Sequence, residues 1–197
     1  MKGRNIAGMS DTRQRIENDF YATPLEATRM FLNACKFDGV QTILEPSAGQ
    51  GHISTVLKEN FPTKDITNSD LVYRGDPFNV IIEGGIDFLS YEYKEKYDLI
   101  MTNPPFANIE KFIEKGLKIS NRYVVMFAKI QLLESEKRKD LLKNSPLKYV
   151  YVHSKRVNPL RNGSQFDEKG KKWNSTMCFA WFVWDKDYSG EPIIKWL

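Results

Sequence analysis

Cysteine and histidine are scarce in this 197-residue chain, with two of each. Cys35 and Cys178 lie far apart in sequence, so they form neither a disulfide framework nor a CxxC zinc site, and a reducing, cytoplasmic setting is expected. His52 and His153 are too few for a histidine-rich metal centre, and no metal is expected. No apolar run approaches the ~18–20 residues of a membrane span, so no membrane partner is expected. Residues 1–19 lack the apolar stretch of a secretory signal. What remains is an ordinary globular composition, 41% hydrophobic and 27% charged. The length suits one domain. It divides into a loose polar arm over 1–19 and a single folded unit over 20–197.

The net charge of +4 is mild, but it is concentrated. Lys155, Arg156, Arg161, Lys169, Lys171 and Lys172 face only Asp167 and Glu168 within 153–173, and the rest of the chain balances at 23 positive against 23 negative residues. Asn158, Asn162, Gly163, Ser164 and Gly170 mark the same stretch as a loop. A basic loop suits phosphate backbones. Charge alone fits a solvated surface loop equally well.

The hydrophobic pattern alternates between helices and strands. Thr23-Pro24-Leu25-Glu26 reads as a helix start with a capping box. Thr42-Ile43-Leu44-Glu45 reads as a strand and Ile53, Val56 and Leu57 as a helix. Strands are expected from Asp65 to Asp70, over 97–102 and over 123–127. A helix follows Ile109, and another, charged, spans 131–143. Strands at 148–157 and 177–184 complete the pattern, with 191–197 a short closing segment. This order predicts an α/β doubly wound, mostly parallel sheet. The last two strands, with no helix between them, are expected to form an antiparallel hairpin at its edge.

Two stretches carry chemistry. The first is Glu45-Pro46-Ser47-Ala48-Gly49-Gln50-Gly51, a turn between strand and helix. Its glycines permit a sharp turn and close approach of a ligand. Asp70, at the expected end of the next strand, can bind ribose hydroxyls, so the set reads as a nucleoside-cofactor site. Ser54 occupies the third position of a GxGxxG fingerprint, and no GK[ST] follows, so neither a dinucleotide motif nor a P-loop is present. Glu45 would repel a phosphate. It suits a cationic group such as an ammonium or a sulfonium, which points to S-adenosylmethionine.

The second stretch is Asn103-Pro104-Pro105-Phe106, directly after a buried strand. The prolines remove two backbone donors. The acceptors left, the Asn103 side-chain oxygen and the Pro104 carbonyl, suit an amino group with two hydrogens. Accepting both favours a pyramidal nitrogen whose lone pair is free to attack, and Phe106 can stack on the base that carries it. In a doubly wound sheet the strands before these two stretches are neighbours at the switch point, so both open into one crevice.

The chain thus resembles the class I S-adenosylmethionine-dependent methyltransferases, in particular the N6-adenine-specific DNA branch in its small, phage or mobile-element form. Glu45 to Gly51 resembles the cofactor motif, and Asn103 to Phe106 the catalytic [DNS]-P-P-[YFW] motif. Tyr21-Ala22-Thr23-Pro24 resembles the segment that closes over the methionine part of the cofactor. Asp70 matches the ribose-binding acid, and Asp87-Phe88 the segment that contacts the cofactor's adenine. The resemblance implies a seven-stranded sheet and direct in-line methyl transfer to adenine N6 in DNA, with a paired base flipped out of its duplex.

The chain departs from that family in lacking a separate target-recognition region. The longest substitute is the loop at 158–175, where Arg161, Phe166, Lys171 and Trp173 can meet phosphates and bases, with Lys155 and Arg156 at the rim. Other readings stay open. An RNA adenine methyltransferase would share every motif. A protein glutamine methyltransferase normally carries tyrosine where Phe106 stands. A non-catalytic binding subunit commonly loses the motif that is intact here.

Overall fold

The computed structural model describes residues 20–166, 169–172 and 176–197; the arm at 1–19 lies outside the described residues. Its elements are β1 (Tyr21–Ala22), α1 (Leu25–Ala34), β2 (Thr42–Glu45), α2 (His52–Asn60), β3 (Asp65–Asp70), β4 (Glu83–Gly84) and β5 (Tyr97–Thr102). There follow α3 (Ile109–Ile119), β6 (Ser120–Lys129), α4 (Glu136–Lys143), β7 (Leu147–Val152), β8 (Leu160–Arg161), β9 (Phe179–Asp185) and β10 (Ile193–Trp196). Eight strands form one sheet in the order β10-β7-β9-β6-β5-β2-β3-β4, and β1 pairs separately with β8.

Every pair in the large sheet is parallel except those of β9, which runs against both β6 and β7. The inner strands are apolar runs because both faces are covered. On one face Phe31 of α1 and Ile53, Val56 and Leu57 of α2 pack on Ile43, Leu99, Val125 and Trp181. On the other, Phe112 and Ile113 of α3 pack on Leu44, Ile100, Val124 and Phe182. Adjacent residues such as Ile43 and Leu44 thus serve opposite cores, as the strand period of two requires. Helices on both faces make the fold doubly wound. No helix among the described residues is long and apolar enough to cross a membrane.

Four local expectations are corrected. The hairpin is not at the edge: β9 is inserted between β6 and β7, and the closing segment becomes an eighth strand, β10, parallel to β7. All seven residues of β9 are buried, so the aromatic run belongs inside the sheet. The helix at 131–143 divides into a 3-10 turn (Ile130–Leu133) and α4, because Ser135 is fully extended (φ −174°). Arg138 caps the break, donating to the Gln131, Leu132 and Glu134 carbonyls at 3.0, 3.1 and 3.2 Å. The capping box does not form, since no side chain caps α1 and the buried Thr23 hydroxyl has no partner among the described residues. The Pro24 carbonyl instead accepts the Ala27 N–H at 3.0 Å.

Candidate functional site

The carboxyl ends of β2, β3, β5 and β6 lie side by side, and β9, running backwards, brings its first residue to the same edge. From β2 the chain enters the glycine turn. Gly49 and Gly51 hold left-handed backbone, φ 59° and 83°, which side-chain-bearing residues rarely adopt. Both also lack space for a Cβ. At Gly49 it would lie 2.1 Å from the Phe20 ring, and at Gly51 2.4 Å from Val80.

Neighbouring strands tie the turn down. Asp70 accepts the Gly49 N–H at 2.7 Å on one carboxylate oxygen and the Val72 N–H at 2.9 Å on the other. The Ala48 N–H reaches the Ser69 carbonyl at 3.0 Å, and the Gly51 N–H reaches the Ala48 carbonyl at 2.8 Å. Asp70, at the end of β3, therefore anchors the turn in this structure. Pro46 is buried and Ser47 half-buried beside it.

Glu45 is almost wholly buried, and the Ser54 hydroxyl donates to its Oε2. Burial, with the Asp70 charge nearby, pushes this carboxyl up from its ordinary 4.5 to about 8, so it is mostly protonated at neutral pH. Ser54, which stands where a dinucleotide motif has glycine, thus serves the buried acid. That pairing is not evident from spacing alone.

The corner after β5 has a different construction. Pro104 is buried, Pro105 exposed and Phe106 half-buried. The Asn103 side chain donates from Nδ2 to the Tyr21 carbonyl at 2.7 Å. A backbone carbonyl only accepts, so this contact fixes the amide's orientation. Oδ1 is turned away and has no partner among the described residues. The Phe106 ring lies 5.9 Å from that of Phe179, and the Lys129 ammonium sits 5.0 Å from the Phe106 centroid. Lys129, at the end of β6, escaped sequence reasoning because it closes an apolar strand without a motif.

Tyr21 lies against Asn103, and β1 is held by β8 of the basic loop, Tyr21 opposite Arg161 and Ala22 opposite Leu160. The Phe20 carbonyl accepts the Asn162 N–H at 2.8 Å. The guanidinium of Arg74 lies 5.0 Å from the Phe20 ring. Phe20, adjacent to a motif residue, was not singled out because nothing in its sequence context marks it. Lys155, Arg156, Lys169, Lys171 and Lys172 are exposed and Arg161 is half-buried. Trp173 lies outside the described residues.

Asp87 and Phe88 are placed differently from the rest. Asp87 caps its own turn, accepting the Leu89 N–H at 3.0 Å and the Ser90 hydroxyl at 2.9 Å. Phe88 is 2% exposed and packs on Phe112 at 4.7 Å between ring centroids. The Phe88 ring belongs to the core between the sheet and α3, where an apolar side chain next to a turn is best shielded from water. Neither histidine joins the corner's hydrogen bonds. His52 sits edge-on to Phe78 at 4.8 Å, and burial pushes His153 down to about 4.

Solved structures share this fold at low sequence identity. The methyltransferase subunit of a type I restriction-modification system from Streptococcus thermophilus superposes with a TM-score of 0.60 at 13% identity, over 89% of this chain and 47% of that one. A SAM-dependent O-methyltransferase from Thermotoga maritima gives 0.53 at 13% identity, over 84% and 66%. Magnesium protoporphyrin IX methyltransferase from Synechocystis PCC 6803, with SAM bound, gives 0.51 at 10% identity, over 82% and 77%. The chain has the class I methyltransferase fold. It spans about half the length of the type I subunit that it matches. No protein-family model matches the chain, and no curated protein matches it.

Proposed function

We propose that this chain transfers a methyl group from S-adenosylmethionine to the N6 amine of adenine in DNA. The carrying observation is the Asn103 amide, fixed through Nδ2 by the Tyr21 carbonyl so that Oδ1 remains an open acceptor beside Pro104 and Pro105. The neighbours' names span a restriction-modification subunit, an O-methyltransferase and a porphyrin methyltransferase, so the fold does not choose the substrate. The corner and the basic loop favour an amine on a nucleic acid.

The residues present fit the cofactor. Gly49 and Gly51 let the turn take its left-handed shape, Asp70 presents a carboxylate at the end of β3, and the buried Thr23 hydroxyl has no partner among the described residues. The turn at 46–51 and Asp70 would hold the nucleoside part, with 21–24 against the methionine part. When bound, S-adenosylmethionine supplies an electrophilic methyl group on a sulfonium.

The chain's own residues prepare the amine. Asn103 Oδ1 and the Pro104 carbonyl accept its two hydrogens, which draws the nitrogen out of conjugation and frees its lone pair. Proline nitrogens carry no hydrogen, so no backbone donor from Pro104 or Pro105 competes for that lone pair. Phe106 supports the plane of the base, and the loop cations attract the phosphate backbone.

Tritiated S-adenosylmethionine offered with DNA, RNA and protein tests the reading, with Asn103→Ala as control. Label in DNA that digests to N6-methyldeoxyadenosine is expected. Label only in RNA would move the substrate to an RNA adenine, and label only in protein would reject the nucleic-acid reading.

A further inference from the structure

Four segments form a closed circuit of contacts around β1. Among the described residues β1 pairs only with β8, and Asn162, next after β8, donates its backbone N–H to the Phe20 carbonyl at 2.8 Å. The Tyr21 carbonyl in turn takes the Asn103 amide at 2.7 Å. The Phe20 ring rests on Gly49, where a Cβ would come within 2.1 Å of it. The turn after β8 meets the same glycine turn, because a Cβ on Gly163 would lie 2.3 Å from Gln50 Oε1. Asn162 and Gly163 reach these positions through left-handed backbone, φ 49° and 76°.

We infer that the β1–β8 ribbon is a positioning device that couples the two ligands of the proposed reaction. Whatever orders β8 also orders β1, and β1 both covers the glycine turn and aims Asn103. Phosphate contacts on the basic loop therefore act on the cofactor turn and the acceptor corner through the ribbon, in addition to the contact of the target base with the corner. The inference rests on the reading above and adds a thermodynamic link to it. The polymer and the cofactor tighten each other's binding by the same factor.

S-adenosylhomocysteine, which has no methyl to transfer, is titrated by calorimetry into the intact chain, alone and with a saturating adenine-containing duplex. About tenfold tighter binding with DNA is expected, within the usual range of coupling between sites. Asn162→Pro removes the N–H that Phe20 accepts and cannot hold the left-handed backbone. In that variant the ratio should collapse towards unity while each ligand still binds alone, an outcome that general destabilisation would not produce. Gly163→Ala keeps its amide but strains the backbone and displaces the end of the Gln50 side chain, so it should fall between, and it carries the test if the proline variant melts early. No tightening in the wild-type chain, or full tightening retained in both variants, overturns the coupling. A wild-type chain that does not bind S-adenosylhomocysteine at all overturns the cofactor reading itself.

Discussion

In the glycine turn the backbone donors and the acids beside them are already engaged. Gly49 is held by Asp70, Ala48 by Ser69 and Glu45 by Ser54. In the Asn-Pro-Pro-Phe corner, two prolines remove donors and the one strong side-chain bond uses only the nitrogen end of Asn103. The turn is a frame whose hydrogen bonds fix a shape. The corner is a set of acceptors held in place and left open. A frame that satisfies itself is rigid before a ligand arrives, and open acceptors gain most when a ligand's hydrogens complete them.

Substitutions should separate these two roles. Asn103→Ala should lower turnover by about 10²–10³-fold, the loss typical of one aimed hydrogen-bonding group in an active site. Its affinity for S-adenosylhomocysteine should stay close to wild type, and an equal loss of binding would make Asn103 part of the frame. Gly49→Ala should act the opposite way, weakening cofactor binding and lowering the melting temperature, with a cost of about 1–3 kcal/mol for left-handed backbone alone. Phe20→Ala in that background should recover part of the loss by clearing the steric conflict but not the backbone strain. A Gly49→Ala chain that melts and binds like wild type would show that the turn is not closed by Phe20.

The buried acid extends the contrast to pH. Glu45 in the folded chain keeps its proton up to about pH 8, whereas the unfolded carboxyl releases it near its ordinary 4.5. Its stabilising contribution is therefore complete below 4.5 and is lost as pH rises towards 8. Melting temperature should fall over that range in the wild-type chain and much less in Glu45→Gln, which keeps an acceptor for Ser54. The same slope in both chains would mean that Glu45 is ionised where it lies. The smallest effect is expected outside both regions. Lys172→Ala should reduce the salt dependence of DNA binding by about one phosphate contact, and an unchanged slope would leave Lys172 a solvated side chain.

The glycine turn and the corner were legible because each is a contiguous run that starts at the end of a strand, and β2 and β5 are adjacent as the switch-point rule requires. Ribbon β1–β8 was not legible. Two residues on each side carry no periodicity, and the partners are remote in sequence. The inserted position of β9 was hidden for a related reason: Phe179 to Asp185 read as apolar whether the strand ends a sheet or lies within it. The core position of the Phe88 ring against α3 was also hidden, because a motif marks a segment and not where its side chains point. Arg138 lies in the stretch expected as one charged helix over 131–143, yet it holds three carbonyls at the break before α4.

The antiparallel β9 also bears on how the chain acquires its structure. Until residues 179–185 are made, β6 has no partner on one side, and Val125 and Phe127 lack the Trp181 and Phe179 against which they end up packed. The nascent chain thus exposes an open apolar strand while the 49 residues between β6 and β9 are made, a state prone to wrong pairing. Assembly should be late and cooperative, with truncations before Phe179 yielding aggregates rather than a smaller stable unit.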